Sequence, residues 1–187
     1  MVTYLVSGAE DIQPSHDNLR RSGRVVRHGG QVTRAAPDEL RQGMRYVVVA
    51  HGDEAGTIFW ANEPEEDGSP WLWVGMSPTP VRARVYLYCC NAGPRLSRYL
   101  RDCECFGHCS PVPAPVDEAR DIVLAYLRRV EVLMHEEDFG AAQWRERLST
   151  YVGEQLELEL DDPSCLLGPS FWLALSKSLN ARADSVV

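Results

Sequence analysis

Two short apolar runs in this chain each end abruptly at a chemically reactive residue. Residues 46–50 are continuous and rich in valine, and residues 81–89 are similar, although arginines alternate at the start of the second run. Continuous runs of this length are typical of strands that are covered on both faces of a parallel sheet. His51 and Gly52 follow the first run, and Cys90 follows the second with Gly93 close behind.

Weaker patterns predict further strands. Residues 2–8 are typical of a short strand, and residues 103–110 form a candidate strand that ends at a proline-rich break. Between the two strongest runs, the aromatic-rich residues 57–61 and 71–75 flank an acidic turn, which predicts a hairpin. The tryptophans of this hairpin either pack in the core or line a substrate groove.

The second half of the chain carries helical periodicity. Apolar residues recur every three or four positions across residues 117–136, and two acidic residues stand at the start, where a helix favours negative charge. A second helix is predicted from residue 141 to about residue 158, and residues 171–175 fit either a last strand or a short helix. The alternation of strands and helices predicts one α/β domain over residues 1–187, a three-layer α/β/α sandwich with a mostly parallel central sheet.

Composition and charge narrow the classes of function. With 187 residues, 44% of them hydrophobic and 25% charged, the chain is typical of a globular domain with one substantial core. The net charge of -8, from 27 acidic against 19 basic residues, argues against a nucleic-acid partner. No stretch approaches the ~20 continuous apolar residues of a membrane span, and the N-terminus lacks the pattern of a signal peptide. We therefore expect no membrane partner and a cytoplasmic location.

Six cysteines raise the question of disulfides. Cys89 and Cys90 are adjacent, and three others crowd between residues 103 and 109. A chain of this size folds without disulfides, so we expect the cysteines to be reduced thiols.

The two reactive residues fit one site. Functional residues of open parallel sheets lie just beyond the carboxyl ends of the strands, where His51 and Cys90 are predicted to be. Strands that follow each other along the chain are often neighbours, so the imidazole and the thiol can meet. A thiolate beside an imidazolium is the basis of cysteine-nucleophile chemistry, and a helix beginning near Pro94 would further favour the thiolate.

This arrangement predicts acyl transfer. Gly52 lets a substrate carbonyl approach the backbone, and the N–H groups of Gly52 and Cys90 are a candidate oxyanion hole. Cys90 is then the nucleophile that attacks a peptide carbonyl, His51 is the general acid that protonates the leaving amine, and water releases the acyl group. This chemistry needs no metal and no other cofactor.

The motifs around these residues resemble a known family. A strand that ends in His-Gly, followed by a strand that ends in Cys89-Cys90-Asn91-Ala92-Gly93, is similar to the caspase-like cysteine peptidases of the caspase-hemoglobinase fold. The resemblance is closer to their bacterial CHAT branch, whose nucleophile motif reads roughly Ala-Cys-Asn/Glu-Thr/Ser-Gly. Cys89 stands where the family has alanine, so the register assigns the nucleophile to Cys90.

The resemblance extends over about residues 44–176. Residues 106–127 resemble the family's strand, proline break and long helix, with Ser110 in place of the usual tryptophan, and residues 168–175 resemble its closing strand. Residues 1–187 contain no segment that resembles the family's N-terminal repeats. The resemblance implies a caspase-like fold and a regulated protease that cleaves a protein or peptide substrate in bacterial defence or cell death, with a possible regulatory protein partner. The alternative is a catalytically inactive interaction module, a pseudoprotease.

Caspase-like peptidases generally recognise one substrate side chain before the scissile bond. Asp53 and Glu54 are candidate substrate-binding residues, because a carboxylate there would select arginine or lysine. Residues 63–67 are a further acidic candidate, and a solvated acidic loop is the simpler explanation of all of them.

Other histidines and cysteines have simpler explanations. Cys103, Cys105, His108 and Cys109 include the residue types of zinc sites, but their spacing is too tight for two separated ligand pairs, so buried thiols are the favoured interpretation. In a continuous strand, alternation would place His108 on the face opposite the three cysteines. The remaining histidines are expected at the surface, and they are His16, His28 and His135.

Overall fold

The computed structural model describes residues 2–6, 31–33, 43–52, 58–59, 83–92, 104–113, 119–136, 141–161 and 167–180. These ranges form seven strands and three helices, in the order β1 (Val2–Val6), β2 (Gln31–Thr33), β3 (Arg45–Val49), β4 (His51–Gly52), β5 (Ile58–Phe59), β6 (Arg84–Tyr88), β7 (Glu104–Gly107), α1 (Arg120–His135), α2 (Ala141–Leu160) and α3 (Leu167–Asn180).

Five of these strands form one parallel sheet, in the order β2-β1-β3-β6-β7. The two strongest apolar runs become the neighbouring central strands β3 and β6, whose register runs from Arg45 opposite Arg84 to Val49 opposite Tyr88. The prediction of an α/β fold with a mostly parallel sheet is confirmed. The strands predicted at residues 2–8 and 103–110 are present as β1 and β7 with shorter bounds.

Both faces of the central strands are buried, which explains why their sequences are continuously apolar. On one face, alternate strand residues join the three helices in one hydrophobic core, namely Val2, Tyr4, Val47, Val49, Tyr86, Tyr88 and Phe106. The opposite face is also buried, as shown by Thr3, Tyr46, Val48, Val85 and Leu87.

The helices supply the other side of this core. α1 contributes the apolar stripe that its three-and-four periodicity predicted. α2 and α3 pack against each other, and their residues Trp144, Leu148 and Trp172 are buried in the same core. Across the described helices, no segment has both the length and the apolar character that crossing a membrane requires.

Two arginines fix the direction of α1. Arg45 Nε donates to the carbonyl of Met134 at 2.7 Å, and Arg84 Nη1 donates to the same carbonyl at 3.1 Å and to the carbonyl of Glu136. These donors satisfy the last carbonyls of the helix and complement its negative end. Because both arginines are the first residues of their strands, α1 ends at the amino edge of the sheet and runs antiparallel to β3 and β6.

The last element that the structure describes is a helix, which decides between the two alternatives left open for residues 171–175. The strand implied by the resemblance at residues 168–175 is wrong, since α3 covers Leu167–Asn180. Residues Phe171, Trp172, Leu175 and Leu179 are buried three or four positions apart while Leu173 is exposed. A strand would have placed every second residue on the core face, and the buried positions of this segment do not follow that period.

The predicted hairpin is described only in part. Ile58–Phe59 pair antiparallel with His51–Gly52, with His51 opposite Phe59 and Gly52 opposite Ile58. Residues 71–75 lie outside the described ranges. The first aromatic run therefore pairs with the His-Gly segment itself, which extends the end of β3 into a two-stranded ribbon.

Candidate active site

His51 and Cys90 lie at the same edge of the sheet. Val49 and Tyr88 are the last register partners of β3 and β6, and the N–H of Ala50 donates to the carbonyl of Tyr88 at 3.4 Å. His51 and Cys90 each lie two residues beyond those partners, at the carboxyl edge, and both are partly buried. The two strands are adjacent and parallel, as the prediction required.

The backbones of the two segments touch at Gly52. A β-carbon built on Gly52 would collide with the carbonyl oxygen of Cys90, at a separation that real β-carbons do not adopt. Glycine is therefore the residue type that this approach requires. The contact gives Gly52 a structural role beside Cys90, and the predicted oxyanion hole formed by the Gly52 and Cys90 N–H groups stays a prediction.

The chain turns sharply immediately after Cys90. Asn91 has a φ of 54°, in the left-handed region that asparagine tolerates better than most residues with a side chain. Its N–H donates to the carbonyl of Ser110 at 3.4 Å. Cys90 thus lies in a tight turn, and the next residue of this turn, Asn91, is hydrogen-bonded to the segment that follows β7.

The thiol of Cys90 contacts that same segment. The backbone N–H of Val112 donates to Cys90 Sγ at 3.4 Å, and the Cys90 thiol donates to the carbonyl of Val112 at 3.9 Å. We call residues 110–113 the strap. An N–H donor interacts more strongly with a charged acceptor than with a neutral one, and the carbonyl accepts only from the protonated thiol, so the strap provides a partner for the sulfur in either state.

The neighbouring Cys89 has a different environment. Its side chain is fully buried, and burial raises the pKa of the Cys89 thiol well above its usual range, although a backbone hydrogen bond from Ala50 partly opposes this. A buried thiol that stays protonated is a poor nucleophile. The two adjacent cysteines therefore differ in their access to solvent. The more accessible one, Cys90, is also the one that the register of the motif assigns as the nucleophile.

His108 is part of a buried hydrogen-bonded network. Its Nε2 lies 2.6 Å from the hydroxyl of Tyr86, which lies 2.6 Å from the hydroxyl of Tyr126, and its Nδ1 lies 2.8 Å from Ser178 Oγ. Ser178 donates its hydroxyl proton to the carbonyl of Leu175 at 2.8 Å, so it accepts from Nδ1–H of His108. Because burial disfavours the charged imidazolium, the ring is neutral, and Nε2 therefore accepts from the hydroxyl of Tyr86.

The electrostatics agree with that assignment. Burial lowers the pKa of His108 to about 3, and burial raises the pKa values of Tyr86 and Tyr126 above their usual range. Both ring nitrogens are engaged within the core, so His108 is not placed to bind zinc. Among the described residues, no group of three or more histidine, cysteine or acidic side chains is arranged to hold a metal ion.

Among the described residues of the cysteine-rich segment 103–109, side chains alternate between the two faces of the sheet, as predicted, only up to the end of β7 at Gly107. The strand ends at Gly107, and Cys109 Sγ lies 4.0 Å from Arg145 Nη2 of α2, on the side of the sheet that carries the helices. Cys109 therefore does not share a face with Cys105, because alternation stops where the strand stops. Cys89, Cys90 and Cys109 are free thiols.

Several predicted residues lie outside the described ranges. They include the candidate substrate-binding residues Asp53 and Glu54, the acidic residues 63–67, and Gly93, Pro94, Cys103, His16 and His28. His135 is exposed, as predicted.

Comparison of the chain with protein-family models, with curated proteins and with solved structures found no match in any of the three.

Proposed function

We propose that this protein is a cysteine endopeptidase in which Cys90 is the nucleophile and His51 is the general acid and base. The observation that carries the proposal is the junction of the two strand ends. Adjacent parallel strands bring His51 and Cys90 to one edge, and Gly52 contacts the backbone of Cys90. Open parallel sheets bind their substrates at such carboxyl edges.

The reaction follows from these groups. His51 takes the proton of the Cys90 thiol, the sulfur forms a bond to the substrate carbonyl carbon, and the carbonyl oxygen becomes an oxyanion near the Gly52 and Cys90 N–H groups. The carbon–nitrogen bond then breaks, and the amine leaves with the proton from His51. Water, deprotonated by His51, attacks the thioester, and its cleavage returns the proton to Cys90. No step uses a cofactor.

The finer aspects of the fold belong to the same proposal. Burial of both faces of the central strands supports a three-layer, caspase-like sandwich over residues 1–187. The resemblance of the His-Gly and Cys-Cys-Asn-Ala-Gly segments to CHAT proteases supports a regulated bacterial protease in defence or cell death, acting in the cytoplasm on a protein or peptide substrate. Selection of a basic side chain by Asp53 and Glu54 is part of this proposal.

Cleavage of a peptide library tests the proposal. We expect the native chain to cleave a subset of peptides, and Cys90→Ala to lower the rate by on the order of 10³-fold or more. Cys89→Ala is the matched control, because it removes the adjacent thiol and restores the family's alanine, and we expect it to keep the activity. His51→Ala should lower the rate by about 10²-fold or more.

The pattern across these variants separates the two hypotheses. Equal cleavage by the native chain and Cys90→Ala contradicts the assigned nucleophile. No cleavage by the native chain, together with slow and equal iodoacetamide labelling of Cys89 and Cys90, favours the pseudoprotease, because an activated thiolate reacts well below pH 8.

A further inference from the structure

The strap is held to the rest of the molecule on both sides of its contact with Cys90. It begins at Ser110, two residues after His108, and ends at Pro113, and the N–H of Val112 donates to Cys90 Sγ. One anchor lies on each side of Val112, so both restrict where its N–H lies relative to the sulfur.

The first anchor is the imidazole of His108. Its ring is fully buried and is bonded on one side to Tyr86 of β6 and on the other to Ser178 of α3. Tyr88 and Phe106 also pack edge-on against this ring, with centroids 5.9 and 6.0 Å away. Two elements of the core thus fix the point at which the chain leaves β7 and enters the strap.

The second anchor is the hydroxyl of Tyr88. This buried side chain belongs to β6, two residues before Cys90, and its hydroxyl donates to the carbonyl of Pro113 at 2.9 Å. The N–H of Asn91 adds a bond to the carbonyl of Ser110, at the beginning of the strap. The strand that leads to the nucleophile therefore also positions the backbone that contacts the nucleophile.

We propose that the strap is a fixed thiolate-binding element, in which the N–H of Val112 stabilises the Cys90 thiolate and Tyr88 and His108 are positioning residues that act through the strap. The inference rests on the proposed role of Cys90 as nucleophile. Val112 N–H is a suitable donor because an amide held by proline on both sides, at Pro111 and Pro113, has a restricted backbone. A donor already in place costs no reorganisation when the sulfur becomes charged.

The direct test removes this one N–H group. In a Cys89→Ala background, which leaves one thiol in the turn, Val112→Pro deletes the donor and Val112→Ala keeps it while trimming the side chain. The rate of iodoacetamide labelling at Cys90 is measured from pH 5 to 9 by mass spectrometry. We expect Cys90 to be labelled about tenfold more slowly at pH 7 in Val112→Pro than in Val112→Ala, with the pH profile displaced to higher pH. Loss of a hydrogen bond to a charged group changes the fraction of thiolate by about this factor.

A second pair of variants keeps the test valid should Val112→Pro fail to fold. Tyr88→Phe removes the hydroxyl that holds Pro113, and Tyr4→Phe is its control, because Tyr4 is a buried tyrosine whose hydroxyl bonds to Glu131 of α1. We expect labelling at pH 7 to slow about threefold in Tyr88→Phe and to change less than twofold in Tyr4→Phe. Circular dichroism verifies that each variant is folded.

The outcomes distinguish this inference from the proposed function. Identical pH profiles for Val112→Pro and Val112→Ala, or for Tyr88→Phe and Tyr4→Phe where the proline variant is unfolded, overturn the inference even if the protein cleaves peptides. A displaced profile in a protein that cleaves nothing supports the strap as a thiolate-binding element and overturns the endopeptidase proposal alone.

Discussion

The backbone of Gly52 lies against the backbone carbonyl of Cys90, so that a side chain at position 52 has no room. Gly52, which follows the candidate base His51, is thus packed directly against the candidate nucleophile Cys90. Any change that separates the two strand ends also changes the position of His51 relative to the sulfur.

Substitution of Gly52 by alanine should therefore damage stability and activity together. The added methyl group must displace either β4 or the turn at Cys90, and such overpacking costs about 1–3 kcal/mol in the free energy of unfolding. We expect peptide cleavage to fall by about 10²-fold, because small displacements of reacting groups have effects of that size. Urea unfolding and cleavage rates measure the two effects.

Gly153 provides the matched control for this substitution. It lies within α2, and a β-carbon built on it meets no atom within 4 Å. Gly153→Ala should raise the free energy of unfolding by about 0.5–1 kcal/mol, because alanine favours a helix more than glycine does. A loss of activity in Gly153→Ala as large as in Gly52→Ala would show that the junction with Cys90 is not the cause.

The two adjacent cysteines should differ in reactivity. Burial raises the pKa of the Cys89 thiol and shields it from reagents, whereas Cys90 is only partly buried. In the folded protein at pH 7.5, we expect iodoacetamide to modify Cys90 and to leave Cys89 unmodified, as fragment mass spectra can show. In urea, both should react at similar rates. Faster labelling of Cys89 than of Cys90 in the folded protein would contradict the assignment.

The central strands and the location of the pair could be predicted because local sequence determines them. A continuous valine run has few alternatives to a doubly covered strand, and the residue that follows it must lie at the carboxyl edge. The segment at residues 171–175 was ambiguous because five apolar residues fit both periods. The helix was decided by residues further along, such as Leu179, which reach the same core.

The surroundings of the thiol could not be predicted for a different reason. The donor to Cys90 is the backbone N–H of Val112, and a backbone group has no residue-type signature. The partners of His108 are 22 and 70 residues away in the sequence, so the local spacing, which favoured buried thiols over a zinc site, did not indicate the buried network around His108. The signal that was available is that Tyr86 and Tyr88 share a face of β6 and bring two hydroxyl groups into the core.

His108 should make the protein less stable in acid. Its folded-state pKa is about 3, below the usual value of 6.5, so between these values the unfolded chain binds one more proton than the folded chain. The free energy of unfolding therefore decreases as the pH falls from 6.5 towards 3, by at most about 1.4 kcal/mol per pH unit.

Replacement of His108 isolates this contribution. His108→Gln keeps a polar side chain but does not titrate, and we expect a lower free energy of unfolding at pH 7 because the network with Tyr86 and Ser178 is imperfectly restored. The difference from the native protein should shrink as the pH falls from 6.5 to 4, measured by urea unfolding at several pH values. A difference that is constant across this range would mean that His108 is protonated in the folded state.

Glu131 should have the opposite effect on the alkaline side. This carboxyl lies inside the protein on α1, accepts a hydrogen bond from the hydroxyl of Tyr4, and has its pKa raised to about 8 by burial, from the usual 4.5. Between these values the folded chain binds one more proton than the unfolded chain, so the free energy of unfolding decreases as the pH rises from 4.5 to 8. The slopes from His108 and Glu131 oppose each other between pH 4.5 and 6.5, so the combined contribution of these two groups to the free energy of unfolding is greatest there.

The variant Glu131→Gln tests this directly, because an amide retains the acceptor for Tyr4 and carries no charge. We expect Glu131→Gln to become progressively more stable relative to the native protein as the pH rises from 5 to 8, by at most about 1.4 kcal/mol per pH unit. Glu104→Gln is the control, since that carboxylate is exposed at the end of an ion pair with Arg84 and its loss should change the free energy of unfolding by less than about 1 kcal/mol. Urea unfolding at pH 5, 6, 7 and 8 measures both. A difference between Glu131→Gln and the native protein that does not grow with pH would mean that Glu131 is ionised in the folded protein, and that Tyr4 donates to a carboxylate.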